Sequence, residues 1–125
     1  MPAGALITNA GKAIEAKRMI SNTQVVPSWM GFGTAVRTAA VSDTALTTPS
    51  GARVAAAMST ITTGVTNDTY QAVATFTAVG ATDVAEIGMF DASTAGNMYV
   101  SITLGTAISL LATDAISYTI RVQYS

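Results

Sequence analysis

Residues 115–124, AISYTIRVQY, alternate without a break. Ile116, Tyr118, Ile120, Val122 and Tyr124 share one side; Ser117, Thr119, Arg121 and Gln123 share the other. A period of two places successive side chains on opposite faces of a strand and does not suit a helix. The plan recurs. In residues 69–78, Tyr70, Ala72, Ala74 and Phe76 oppose Gln71, Val73, Thr75 and Thr77; in residues 97–104, Met98, Val100, Ile102 and Leu104 form the apolar row. The pattern predicts strands near 53–63, 69–78, 84–90, 97–104 and 115–124. They are separated by GVTND, VGATD, DASTAGN and GTAISLLATD. One apolar face per strand requires sheets packed on a common core. The expected class is all-β: a β-sandwich of short antiparallel strands with one N-terminal α-helix.

The helix is read from a different period. Thr8 or Asn9 caps a segment running to about Ile20, with Ser21-Asn22 as its end. On a helical wheel Ala10, Ala13, Ile14, Ala16 and Ile20 share one side, while Lys12, Glu15 and Arg18 lie opposite. Glu15 and Arg18 are spaced to pair. Met19 falls on the polar side. Residues 1–24 are thus expected as an N-terminal helical segment and 25–125 as the sandwich. A long loop near 35–51, rich in Ala, Thr, Ser and Pro, exceeds the usual connection length and is expected as a structured loop or arm.

Only 10% of the 125 residues are charged and the net charge is −1. Neither a basic footprint for nucleic acid nor a polybasic membrane patch can be built from that. So weakly charged a surface suits a protein whose neighbours cover part of it. Threonine fits the same view. It is β-branched, favours strands, and gives a polar face without ions that would be costly to desolvate. A solvated sheet face and a protein-contacting face both satisfy the pattern.

Histidine and cysteine are absent. The common general bases, thiol nucleophiles, zinc ligand sets and disulfides are therefore unavailable. The aspartates, Asp43, Asp68, Asp83, Asp91 and Asp114, each adjoin a turn, where a carboxylate bonds local backbone. No catalytic residue, metal site or cofactor is expected, and the chain is read as a non-enzyme. The start of the chain is a poor signal peptide, and no apolar run is long enough to span a membrane. The glycines of GFGTAV (residues 31–36) suit a tight bend or close backbone approach. Trp29 and Phe32 beside them suit core anchors or a ligand platform. Glu86, inside the apolar VAEIGMF, is expected to pair with an arginine such as Arg53 or Arg121, or to face solvent.

The ordered motifs LITNAGKAIEA, SWMGFGTA, VSDTALTTPSGARVA, VTNDTYQAVATFTA, AEIGMFDASTAGNMYVSITL and DAISYTIRVQYS resemble small virion structural proteins of tailed bacteriophages. The matching features are Gly31, Gly33 and Thr34, then Asp43 to Leu46, Ala52 to Val54, Thr66 to Tyr70, Glu86 to Ala92 and Asp114 to Ser125. The VAE lead-in to GMFDA departs from the more polar pattern of that group. The resemblance implies a virion component assembled in the host cytoplasm: a capsid decoration (cement) protein, trimeric and bound to the major capsid protein, or a tail, baseplate or fibre module. A carbohydrate-binding receptor module using Trp29, Tyr70 or Tyr99 is a further alternative.

Four of the six basic residues lie in the first 37 positions, and six of the seven acids follow Arg37. Lys12, Lys17, Arg18, Met19, Trp29 and Arg37 are accordingly the expected partner-binding group. The alternative is that the helix packs on its own sandwich with its charges solvated.

Overall fold

Alternating segments become strands here because each has a core to turn its apolar row toward. The computed structural model describes residues 5–21, 23 and 25–124. In chain order the described elements are β1 (Ala5–Ile7), α1 (Asn9–Arg18), β2 (Trp29–Gly33), β3 (Pro49–Ala55), β4 (Ala57–Ile61), β5 (Thr69–Thr77), β6 (Thr82–Phe90), β7 (Met98–Leu110) and β8 (Ala115–Gln123). Two antiparallel sheets face each other, ordered β1-β7-β6-β2-β3 and β4-β5-β8. The all-β sandwich with one helix is the observed fold.

The main core lies between the sheets. Ala72, Ala74 and Phe76 of β5 and Ile120 and Val122 of β8 meet Met30, Phe32, Val84, Ile87, Met89 and Val100 from the larger sheet. Phe32 and Phe76 pack edge to face at 5.1 Å between centroids. The opposite rows of β5 and β8, including Thr75, Thr77, Ser117, Thr119 and Arg121, are exposed.

The larger sheet is covered on both faces. Its outer face lies under the loop of residues 34–48, whose Leu46 packs with Phe90, Met98 and Trp29. Residues 84–90 are therefore buried throughout, and alternation fails there as it does in any doubly covered strand. The long segment is a structured loop.

The strand boundaries differ from the pattern in four places, each with a physical reason. Residues 53–63 are not one strand. The chain leaves one sheet and enters the other at Ala56, where the Ala56 amide donates to the Ser28 carbonyl at 2.8 Å. Residues 29–33 form β2 rather than a bend, paired to β3 and β6. Gly33 serves close approach: a Cβ there would lie 2.5 Å from the Thr48 carbonyl oxygen and 2.6 Å from Glu86 Oε2. GTAISLLATD is not simply a break. β7 bulges between Thr103 and Ile108, five positions opposite the two from Val84 to Glu86, and then pairs on to Leu110. Finally, the N-terminal segment opens with β1, which pairs antiparallel to β7 at the sheet edge.

Candidate functional site

The helix is fixed to β7 by its first turn. Thr8 is the N-cap: its Oγ1 accepts from the Gly11 amide at 3.1 Å. The same hydroxyl donates to the Met98 carbonyl, and the Thr8 amide donates to the Tyr99 carbonyl at 3.0 Å. Gly11 lets the helix come this close, since a Cβ there would sit 2.4 Å from the Tyr99 carbonyl oxygen. Ile14 is the buried anchor one turn on. The wheel reading is corrected here. Ala13, Ala16 and Ile20 are exposed, and the buried stripe is Gly11 and Ile14. Glu15, assigned to the polar side, leans on the sheet instead. Arg18 is the last helical residue; of the expected end, Ser21 follows the helix and Asn22 lies outside the described residues.

What Glu15 meets is set by a second irregularity. β7 pairs Val100 with Met89 and Met98 with Phe90, so Tyr99 is the extra residue of a bulge. The bulge turns Met98 toward the loop-side cluster, correcting its assignment to the inward row, and turns Tyr99 into the main core. The Tyr99 and Tyr124 hydroxyls both donate to Glu15 Oε1, and the two hydroxyls lie 2.9 Å apart. Tyr70 packs edge to face on Tyr99 at 6.4 Å and donates to the Pro27 carbonyl at 2.8 Å. Burial pushes the Tyr70 phenol up to about 12, against a smaller opposing pull from Arg18. Tyr124 is also raised, by burial first and then by its bond to Glu15 and that carboxylate's charge.

These side chains line an open cavity of about 360 Å³, together with Val26, Pro27, Met58, Ser59, Thr60 and Arg18. Its walls are mostly apolar, with a few convergent polar groups, the general character of a small-molecule site. An adjoining groove runs along Lys12, Glu15, Ala16, Arg18, Met19 and Tyr124. Met19 and Ile20 are each 87% exposed beside it.

A second polar cluster lies under the loop. Glu86 is fully buried and paired with Arg37, not with Arg53 or Arg121. Its Oε1 accepts from Arg37 Nε at 2.8 Å and the Thr47 amide at 2.9 Å; its Oε2 accepts from the Thr48 amide at 2.8 Å. Arg37 also donates to Asp43 at 2.7 Å, and Asp43 accepts from Ser101 Oγ and the Ala40 amide. Burial opposes the charge on Glu86, but the Thr48, Arg37 and Thr47 donors outweigh it, so its pKa is lowered. Asp43 is lowered in the same way, with burial overcome by Ala40, Ser101 and Arg37. Arg53 instead lies 3.4 Å over the Phe90 ring and donates to the Ala92 and Ala95 carbonyls.

Turn chemistry accounts for Asp68, Asp91 and Asp114, whereas Asp83, also expected at a turn, lies in β6 opposite Ser109 of β7. Asp68 accepts from the Thr63, Gly64 and Val65 amides. Asp91 accepts from Asn97, Asp114 from Leu111, and Asp83 from the Ser109 hydroxyl. Among the described residues no group of three or more Asp, Glu, His or Cys could hold a metal ion. No helix among them is long and apolar enough to cross a membrane.

Residues 12–122 match the family described as podophage GP4 fiber I protein gp80. The chain belongs to this family. No curated protein and no solved structure matches it. It is a structural protein of a tailed phage, and as such a virion component.

In this phage structural protein the residues expected to bind a partner are dispersed. Lys12, Arg18 and Met19 flank one groove with Glu15 and Tyr124. Lys17 is exposed on the same helix. Trp29 is half-buried, packed on the cluster of Leu46, Phe90 and Met98. Arg37 has its charge engaged inside the chain by Asp43 and Glu86, so it is a loop clamp rather than part of the helix face. Sequence reading missed the joint role of Tyr99 and Tyr124. Tyr124 was read only as the end of an apolar row and Tyr99 only as an aromatic of the receptor alternative, and it is the bulge and the helix cap that bring them to Glu15.

Proposed function

We propose that this chain is a non-enzymatic module of a tail fibre, with its outward face at the joint of α1, β4, β5 and β7, beside Tyr124. The observation that carries this reading is the family match across residues 12–122, since the family is described as a fiber protein. The geometry supports a division of surfaces. The helix side carries Arg18 on the cavity wall, Lys12 and Met19 on the adjoining groove and Lys17 exposed on the same helix, and is assigned to a partner other than the chain's own copies. The exposed Thr and Ser rows of β5 and β8 offer a face with little charge to desolvate, and are assigned to contacts between copies in a homotrimer. Sedimentation of the purified chain at three times its mass is the expected result for the assembly.

Density for this chain in reconstructions of whole virions tests the placement. Density along a tail fibre is expected. Density repeated over the shell would replace this reading with capsid decoration by contact with the major capsid protein. That second reading is favoured by one feature, the same near-neutral Thr/Ser face, which could lie flat on a shell.

A further inference from the structure

We infer that the tyrosine-lined cavity at the helix–sheet joint is a binding site for a neutral saccharide. This deepens the assignment of that face to an outside partner, and rests on it.

The ligand class follows from what the walls accept and refuse. Tyr70, Tyr99 and Tyr124 bring three aromatic rings to one cavity of about 360 Å³, within the size range of small-molecule sites. Aromatic rings with a polar tip suit ligands that are apolar on one side and hydroxylated on the other. A pyranose is such a molecule: its C–H face packs on a ring while its hydroxyls seek donors and acceptors. Both are present. Glu15 Oε1 accepts from two tyrosine hydroxyls, and a sugar hydroxyl can substitute for one of them at the carboxylate. Thr60 of the edge strand β4 adds a hydroxyl oxygen on the far wall that can accept, its own proton being given to Asn67 Oδ1.

Charged ligands fit less well. A quaternary ammonium would value three tyrosines and a carboxylate, but Arg18 lines the same cavity. An anion would value Arg18 and be repelled by Glu15. With one charge of each sign on the wall, a neutral ligand meets no net repulsion. Single-stranded nucleic acid, which also stacks on aromatics, needs a basic track, and the chain has six basic residues against seven acidic ones.

The test uses the full chain and four probes: cellobiose, lactose, N,N′-diacetylchitobiose and choline. Tyrosine ring signals are followed by NMR, and affinity by titration calorimetry. At least one disaccharide is expected to shift the rings of Tyr70, Tyr99 and Tyr124 together, and choline to shift none. Tyr124→Ala and Glu15→Gln should each weaken that binding by about tenfold or more. Tyr124 follows the last strand and is half exposed, so its variant should remain folded at the temperature of the assay even where Glu15→Gln does not. The proposal is overturned if no disaccharide moves these rings up to its solubility limit. It is also overturned if choline alone binds, or if Tyr124→Ala keeps wild-type affinity. A chain on the shell that still binds sugar would sink the fibre assignment and leave the pocket; a fibre-located chain blind to sugar would do the reverse.

Discussion

Two carboxylates in this protein each gather several donors, and they differ in what surrounds them. Glu86 is fully buried, with both oxygens taken by Arg37 and the Thr47 and Thr48 amides. Nothing is left for a ligand, and the cluster holds the 34–48 loop on the sheet. Glu15 sits at the mouth of a cavity and is met by two tyrosine hydroxyls. One of those donors, Tyr124, is half exposed, so its place at the carboxylate is open to a competing hydroxyl. A buried charge whose partners close it off completely is a clamp; a charge with neutral hydroxyl partners beside open space is a site. Among the described residues no buried side-chain polar atom lacks a partner, so satisfaction alone does not separate the two. Access does.

The largest effect is expected on the clamp. Glu86→Ala would leave Arg37 with Asp43 as its one charged partner, beside the Ser101 hydroxyl, and two loop amides without acceptors. Breaking a buried pair from one side costs about 3–5 kcal/mol. Urea unfolding at neutral pH should show a loss of that order. A loss below about 1 kcal/mol, the size of an exposed pair, would mean that the loop is held by its apolar contacts instead.

pH should separate the two regions by sign. The folded pKa of Glu86 and Asp43 is lowered. Their stabilisation is therefore complete above the unfolded values near 4 and is lost as pH falls through the folded values. Tyr70 and Tyr124 are raised. Their contribution is complete below about 10 and is lost as pH rises, for Tyr70 through about 12. Melting temperature against pH should thus fall at both ends. Tyr70→Phe is expected to soften only the alkaline fall, and Asp43→Asn only the acid one. A Tyr70→Phe variant with an unchanged alkaline limb would detach the pocket from that loss.

Gly11→Ala comes next and probes the link between the regions. The added Cβ would meet the Tyr99 carbonyl oxygen at 2.4 Å. The helix must then retreat, at about 1–3 kcal/mol for overpacking, and Glu15 must move with it. Near-ultraviolet circular dichroism should report a changed tyrosine environment. Full stability with an unaltered tyrosine signal would show that the helix can slide without disturbing the site.

How far such features were legible in the sequence depended on whether they follow a period. The last strand was readable because Ile120 and Val122 face the core while Ser117 and Thr119 face out. The capping Thr8 and the turn carboxylates were readable because their chemistry is local. β2 was hidden because WMGFG carries two glycines that read as a bend, whereas Gly33 is required by close approach to Thr48, fifteen positions on, and to Glu86. The partner of Glu86 was misread because Arg37 is 49 positions distant and lies in the loop. The pocket was illegible because it depends on the Tyr99 bulge, which shifts register by one residue and leaves no compositional mark.

The smallest effect is expected at Met19. It is 87% exposed at the C-cap of the helix, so folding gains almost nothing from its side chain. Met19→Ser should leave the unfolding free energy within about 0.5 kcal/mol, as exposed substitutions do. The measurement sharpens the contrast between clamp and site if it is repeated at several protein concentrations. A cost independent of concentration keeps this face open, as a ligand site requires. A cost that grows with concentration would show that a second copy covers Met19. The groove it shares with Glu15, Arg18 and Tyr124 would then be a packed contact like the clamp, and the distinction drawn from access would fail.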